Sequence, residues 1–201
     1  MTIPKSVDII LGSGSPRRQS LLEQMKIKHR VELRTIDEKF DPDLQAEQIT
    51  DHLAQQKGKV FQHDLNPDQL VITADTIVWF EGKALGKPKS QEEAKRMLLS
   101  LSEKTHRVIS SVCFSTTNRQ HTINCFTDVR FADLNEDLVD QYVATGNPMD
   151  KAGSYGIQDA FGIYAVSEIN GSYTNVMGLT CMQTFQALHE FVQNYFLARL
   201  L

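Results

Sequence analysis

The chain has 201 residues, of which 41% are hydrophobic and 23% are charged, and its formal net charge is −4. These values are typical of an ordinary globular protein, and we predict a single domain over residues 1–201. The acidic balance argues against nucleic acid or an anionic membrane as a partner, so any anion must be bound by a local basic cluster. Three widely spaced cysteines, with no C-x-x-C pair, no signal peptide and no run of transmembrane length, favour a cytosolic protein with free thiols.

A glycine-rich turn near the start of the chain is the first candidate site. It links an apolar run at residues 7–11 to an apolar-periodic segment, so we expect a strand, a tight turn and a helix. Ser15 suits the N-cap and Pro16 the first helical position. Arg17 and Arg18 then add positive charge where the helix dipole is already positive, which favours a bound anion such as phosphate. The alternative is a solvated turn whose arginines pair with carboxylates. The candidate anion-binding residues are Ser13, Ser15, Arg17 and Arg18.

An aspartate interrupts the most apolar strand of the sequence. Residues 70–80 are rich in β-branched and aromatic side chains, as expected of a central strand covered on both faces. A carboxylate there is costly unless it is paired, binds a metal or opens onto a cleft. We favour a functional role for Asp75. The alternative is an aspartate that caps a loop or pairs with a basic side chain.

The rest of the chain alternates between helical and strand patterns, which predicts an α/β fold with a mixed sheet flanked by helices. In chain order, we predict a short strand at 29–35, a helix from Asp41-Pro42, a helix capped by Ser90 with Glu93, and a hairpin of strands 107–114 and 122–131. These are followed by a helix capped by Asn135, a strand at 163–169 and a polar turn at 170–175. The last predicted element is a helix at 179–200 with Met182 and Phe185 facing inwards.

Phosphate chemistry would need cations, carboxylates for a divalent metal and a group that orients water. The candidates are Arg17, Arg18, Lys57, Lys87 and Lys89 for phosphate, with Glu38 and Asp75 for metal or water. Magnesium suits a site with one or two carboxylates plus substrate phosphates. Lys87 and Lys89 alone would be typical of a solvated loop. The six histidines do not fall at metal-binding spacings, and neither P-loop nor dinucleotide fingerprint is present.

Several short motifs, in order along nearly the whole chain, resemble the Maf family of nucleoside triphosphate pyrophosphatases. They are Ser13-Gly14-Ser15-Pro16-Arg17-Arg18, Asp37-Glu38, Leu53-Ala54-Gln55-Gln56-Lys57, Thr73-Ala74-Asp75-Thr76, Leu85-Gly86-Lys87-Pro88, residues 150–158 (DKAGSYGIQ) and residues 170–179 (NGSYTNVMGL). Each motif is weak alone, but their common order is specific.

The resemblance implies an enzyme that cleaves a nucleoside triphosphate between the α and β phosphates with a divalent cation, Mg²⁺ or Mn²⁺. It also implies a long mixed sheet with helices around it and two lobes about a central cleft, as in inosine triphosphate pyrophosphatases. By position, Asp75 matches the catalytic aspartate, and Glu38, Lys57 and Lys87 match other charged active-site residues. The positions associated with substrate choice are Arg18, Thr76 and Gln158.

The substrate branch is indicated by Tyr155-Gly156-Ile157-Gln158. This motif resembles the form found in the branch that acts on dTTP and UTP. The pyrimidine triphosphate that is hydrolysed could be an ordinary or a modified one. A glutamine offers both a donor and an acceptor to a pyrimidine edge. Alternatives are 7-methyl-GTP as the substrate, or a nucleotide-binding regulator without catalysis. Three positions depart from the family pattern: Asn147 replaces Glu, Asp159 replaces Gly and Thr180 replaces Pro. A homodimer is common for this architecture, although the sequence itself does not determine the oligomeric state.

Overall fold

The computed structural model describes residues 3–4 and 6–197, which form two compact units. The first unit comprises the described residues of Met1–Asp75, Ser110–Cys125 and Gly178–Leu201; the second comprises Thr76–Ile109 and Phe126–Met177. No helix among the described residues combines the length and apolarity required to cross a membrane. The prediction of one domain over the whole chain stays a prediction.

Strands and helices interleave along the chain. The strands are β1 (Asp8–Leu11), β2 (Arg30–Val31), β3 (Gln69–Phe80), β4 (Lys83–Leu85), β5 (Thr105–Ser115), β6 (Gln120–Phe131) and β7 (Val166–Asn170). The helices are α1 (Pro16–Gln24), α2 (Glu47–Lys59), α3 (Gln91–Ser100), α4 (Glu136–Ala144), α5 (Ala160–Ala165), α6 (Tyr173–Met177) and α7 (Cys181–Val192). Short 3₁₀ helices cover Asn147–Asp150 and Ala152–Ser154, and a π-helical turn covers Gln193–Leu197.

The strands of the described residues form one seven-stranded sheet in the order β2-β1-β3-β5-β6-β7, with β4 paired to β3. β1 is parallel to both β2 and β3, whereas β4 is antiparallel to β3 and β7 is antiparallel to β6. Residues 116–119 join β5 to β6, a connection short enough only for an antiparallel hairpin. The predicted mixed α/β sheet flanked by helices is therefore confirmed.

Side-chain caps begin three of the helices as the sequence predicts. The Ser15 hydroxyl accepts a hydrogen bond from the backbone N–H of Arg18, and the Asn135 side chain accepts one from Asp137 N. Ser90 likewise accepts from Glu93 N at 3.2 Å. The return bond of this capping box is shifted by one residue, because the Glu93 carboxylate accepts from the N–H of Lys89.

Two boundaries predicted in the first half of the chain are wrong. α2 begins at Glu47 and not at Asp41-Pro42, because the Asp41 carboxylate accepts from Asp43 N at 3.0 Å and closes a local turn. Ala46, just before the helix, has a φ of 48°. The strand predicted at 29–35 is only the two residues of β2.

Further corrections concern the last third of the chain. The segment predicted as a strand at 163–169 is the end of α5 followed by β7, and the predicted polar turn at 170–175 contains the start of α6. Met182 is 61% exposed and does not face inwards, since the buried face of α7 begins at Thr184. The end of the predicted last helix, residues 198–200, lies outside the described residues. The free thiols are confirmed; Cys113 and Cys125 are buried and Cys181 is half-buried.

A glycine in α2 lets this helix pack closely in the first unit. A Cβ at Gly58 would collide with the Ser115 hydroxyl and lie 2.9 Å from Gln120 Nε2. We therefore expect Gly58→Ala to destabilise the protein by about 1–3 kcal/mol through overpacking, although alanine is the better helix former. Urea unfolding measures this loss of unfolding free energy. The control is Gly86→Ala, where an added Cβ meets nothing within 4 Å; an equal loss in both variants would contradict the prediction.

A buried histidine in the second unit makes the fold sensitive to acid. His106 lies edge-on to Phe131 and Tyr155, with one ring nitrogen 2.7 Å from the Tyr155 hydroxyl. Burial lowers the pKa of His106 to about 4, and the charge of the nearby Asp128 opposes this effect without cancelling it. Because the folded-state pKa lies below the usual 6.5, the stability present above pH 6.5 is lost as the pH falls through about 4.

The expected loss of unfolding free energy from this group is about 3 kcal/mol between neutral pH and pH values below 4. Urea unfolding at a series of pH values measures it. His106→Gln should remove much of this pH dependence, whereas His63→Gln, at an exposed site, should leave it unchanged. Identical pH profiles for wild type and His106→Gln would overturn the prediction.

Candidate active site

The glycine-rich turn packs tightly between β1 and α1 in the first unit. Gly12 N donates to Ile72 O at 2.9 Å, and a Cβ on Gly12 would lie 2.8 Å from the Thr73 methyl group. The Ser13 hydroxyl accepts from Ser15 N at 3.3 Å. The close packing against β3 explains why glycine occupies this position.

Arg18 is anchored at this turn by contacts that the sequence did not predict. Its Nε donates to the carbonyl oxygen of Gly178 at 2.8 Å, and its Nη1 donates to the Ser13 hydroxyl at 3.2 Å. Desolvation lowers the pKa of Arg18, while the negative charges of Asp75 and Glu38 act in the opposite direction. The guanidinium is thus held by neutral oxygens in the electrostatic field of two carboxylates.

Glu38, Lys57 and Asp75 form a charge cluster in the first unit. Lys57 projects from α2, and its Nζ lies 2.7 Å from Asp75 Oδ1 and 2.9 Å from Glu38 Oε1. The side chains of Lys57 and Asp75 are only 17% and 12% exposed, whereas that of Glu38 is 61% exposed. The carboxylate in the central strand is therefore paired with a cation, as its burial requires.

This pairing bears on both interpretations of Asp75. The structural alternative, a basic partner, is present as Lys57. The same contact joins Asp75 to two other residues that were selected for phosphate chemistry. The contact with Lys57 would by itself neutralise the Asp75 carboxylate. Because Glu38 contacts the same ammonium as well, these three side chains are the candidate catalytic centre.

The two carboxylates also suit a divalent cation. Glu38 Oε1 and Asp75 Oδ1 converge on one cationic atom, and carboxylate oxygens are the ligands that Mg²⁺ prefers. Within residues 3–4 and 6–197, no group of three or more acidic, histidine or cysteine side chains is placed to hold a metal ion. This donor set fits an ion held jointly by protein carboxylates and substrate phosphates better than a closed protein site.

Four other predicted site residues belong to the second unit. Thr76 is half-buried in β3, directly after Asp75. Lys87 and Lys89 are exposed between β4 and α3, and Gln158 is exposed in the turn before α5. Their roles stay predictions. Arg17 and Ser15, in the first unit, are half-buried at the start of α1.

The sequence interpretation missed a polar network in the second unit. The hydroxyl of Tyr142, on α4, donates to Asp159 Oδ2 at 2.9 Å. The buried Lys151 donates to Asn147 O at 2.6 Å and pairs with Asp150 and Asp159. The departure from the family pattern at Asp159 was the one signal that could have located this network.

Comparisons with known proteins agree with the motifs in the sequence. The family described as "Maf-like protein" matches residues 8–191. A dTTP/UTP pyrophosphatase of Christiangramia forsetii is 45% identical over 190 residues, covering 94% of this chain and 97% of that protein. The dTTP/UTP pyrophosphatase of Flavobacterium johnsoniae is 43% identical, covering 94% of this chain and 97% of that protein. The one of Bacteroides fragilis is 46% identical, covering 90% of this chain and 95% of that protein.

Solved structures show a more distant similarity. The Staphylococcus aureus Ham1 protein has a TM-score of 0.44 and 13% identity, covering 63% of this chain and 72% of that chain. A nucleoside-triphosphatase, or dITP/XTP pyrophosphatase, from Mycobacterium abscessus has a TM-score of 0.42 and 14% identity, covering 97% of this chain and 98% of that chain. The family match and the relatives span nearly the whole sequence, and the chain therefore belongs to the Maf family.

Proposed function

We propose that this protein hydrolyses dTTP and UTP to the nucleoside monophosphate and pyrophosphate, by attack of water on the bond between the α and β phosphates. The observation that carries the proposal is the convergence of Glu38 and Asp75 on Lys57. Relatives named dTTP/UTP pyrophosphatase, at 43–46% identity over at least 90% of the chain, support the choice of substrates.

Asp75 is the proposed general base. Its carboxylate is held by Lys57 at the 2.7 Å distance of a charge-assisted hydrogen bond, which orients the carboxylate to deprotonate a water molecule. Lys57 also restrains Glu38, so one ammonium places both carboxylates. Such preorganisation lowers the reorganisation needed when negative charge develops during the reaction.

The phosphates would be bound by the glycine-rich turn and by basic side chains. Arg18 is preorganised by its hydrogen bonds to Gly178 and Ser13, so its charge is held in place before the substrate binds. The N-terminus of α1 adds backbone N–H groups that suit an anion. The proposed phosphate-binding residues are Ser13, Ser15, Arg17, Arg18, Lys57 and Lys87.

A divalent cation, Mg²⁺ or Mn²⁺, would be held by Glu38 and Asp75 together with substrate phosphates. Such an ion neutralises charge on phosphate oxygens. Base selection is assigned to Thr76 and Gln158, since an exposed glutamine amide can donate to and accept from a pyrimidine edge. The cytosolic location and the homodimer stay predictions.

A screen of pyrophosphate release tests this proposal. Purified protein is incubated with Mg²⁺ or Mn²⁺ and each common nucleoside triphosphate, plus 7-methyl-GTP. We expect the highest kcat/KM for dTTP and UTP. A preference for 7-methyl-GTP would keep the chemistry but contradict the substrate assignment. Binding of dTTP without pyrophosphate release would support a regulator in place of an enzyme.

A further inference from the structure

The turn that carries Gln158 is closed by a backbone hydrogen bond. Asp159 N donates to Gly156 O at 3.1 Å, so residues 156–159 form a β-turn. Ile157, at the second position of the turn, is buried, whereas Gln158, at the third, is exposed. The buried residue anchors the turn while the next residue presents its amide to the outside.

A single hydroxyl connects the two ends of this turn. The Tyr142 hydroxyl donates to Asp159 Oδ2 at 2.9 Å and accepts from Gly156 N at 3.3 Å. Its ring stacks on Phe161, with 4.4 Å between centroids and 10° between planes. Burial of Tyr142, together with the Asp159 carboxylate, raises the pKa of its phenol. Tyr142 is therefore a fixed point for the residues on both sides of Gln158.

The Asp159 carboxylate contacts side chains around the turn and does not cap the helix that follows. Asp159 occupies the N-cap position of α5, yet its side chain makes no capping hydrogen bond. Instead, Oδ2 accepts from Tyr142 and lies 3.5 Å from Nζ of Lys151, whose side chain is 10% exposed.

The space around the turn is filled. A Cβ at Gly156 would lie 2.5 Å from Asp159 Oδ2 and 2.9 Å from Lys151 Cε. A Cβ at Gly162 would lie 2.5 Å from the carbonyl oxygens of Gly156 and Ile157. Glycine at these two positions therefore allows the close packing of Asp159, Lys151 and the backbone of the turn.

We propose that Tyr142 and Asp159 are positioning residues for base selection, which act by holding the backbone of Gln158 in the conformation that presents its amide to the nucleobase. This inference rests on the proposed function. A hydrogen-bonding group that selects a ligand must be held to within about 0.5 Å of its productive position, and an exposed glutamine cannot provide that restraint itself.

Tyr142→Phe is the central test, because it removes the hydroxyl and keeps the ring stack on Phe161. We expect the Gly156 amide to exchange with deuterium about tenfold faster, since it loses its hydrogen-bond acceptor. The KM for dTTP should rise about fivefold with kcat nearly unchanged, and the preference for dTTP over purine triphosphates should fall by a similar factor.

Two further substitutions separate charge from hydrogen bonding. Asp159→Ala should behave like Tyr142→Phe. Asp159→Asn retains an oxygen that can accept from Tyr142, so its effect should be smaller. The matched control is Tyr195→Phe in the first unit, which removes a hydroxyl that donates to Asn118 Oδ1 at 2.8 Å; it should leave both selectivity and the exchange of Gly156 unchanged.

A double mutant shows whether the effect passes through Gln158. In a Gln158→Ala background, Tyr142→Phe should cause no additional loss of selectivity. Fully additive losses, an unchanged Gly156 exchange rate, or faster exchange without a change in selectivity would each overturn the inference. If the wild type releases pyrophosphate from none of the nucleotides, the proposed function fails and base selection fails with it. Exchange at Gly156 would still report whether Tyr142 restrains the turn.

Discussion

Asp75→Asn is expected to lower kcat by about 10³-fold, within the range for loss of a general base. Asparagine retains the shape of the side chain and an oxygen for Lys57, but it cannot take a proton from water. The Lys57 contact at 2.7 Å should survive as a hydrogen bond to a neutral oxygen, so the variant should still fold. Pyrophosphate release under saturating dTTP and Mg²⁺ measures the loss of turnover.

The matched control for this substitution is Asp51→Asn. Asp51 is a half-buried aspartate of the same unit, and its carboxylate accepts from Ser111 and Asn124. It carries no proposed catalytic role, so its kcat should stay close to that of the wild type. Urea unfolding of both variants separates lost chemistry from lost stability. Turnover by Asp75→Asn within tenfold of the wild type would contradict the assignment of Asp75 as the base.

Lys57→Met is expected to lower kcat/KM for dTTP by about 10²-fold, as for loss of one preorganised electrostatic group. The thioether fills a similar volume but leaves Glu38 and Asp75 without the ammonium that joins them. The two carboxylates then repel each other, and neither is held in position. Because a divalent cation can offset this repulsion, raising the Mg²⁺ concentration should recover part of the lost activity.

Lys59→Met on the same helix is the control for this variant, since Lys59 is exposed and only two residues further along α2. Its kcat/KM and its dependence on Mg²⁺ should match those of the wild type. Steady-state kinetics over a range of dTTP and Mg²⁺ concentrations measure both effects. Equal kinetics for the two lysine variants would exclude a catalytic role for Lys57.

Local features of the fold could be predicted where one short sequence pattern determines them. The caps at Ser15 and Asn135 depend only on neighbouring backbone groups, so both were predicted correctly. Asp41-Pro42 shows the limit of this reasoning, because the same residue types form a turn when the aspartate bonds to a backbone N–H two residues later. The prediction that Met182 faces inwards was wrong because tertiary packing determines which side of α7 is buried.

The members of the charge cluster could be predicted, but their contacts could not. Glu38 and Asp75 were identified by their chemistry and by the family motifs, as was Lys57. The contact distances depend on how α2 packs near β3, which no local pattern specifies. Tyr142 was missed for a related reason, since a tyrosine within an apolar helical stripe does not reveal the partner of its hydroxyl.

The separation of the polar groups between the two compact units has a consequence for how substrate preference could diverge in evolution. Glu38, Lys57 and Asp75 belong to the first unit, whereas the Tyr142–Asp159 support of Gln158 belongs to the second. Substitutions without shared partners tend to have additive effects on free energy. We therefore expect a lineage to acquire a new nucleobase preference through changes around Tyr142, while inheriting its hydrolytic chemistry intact.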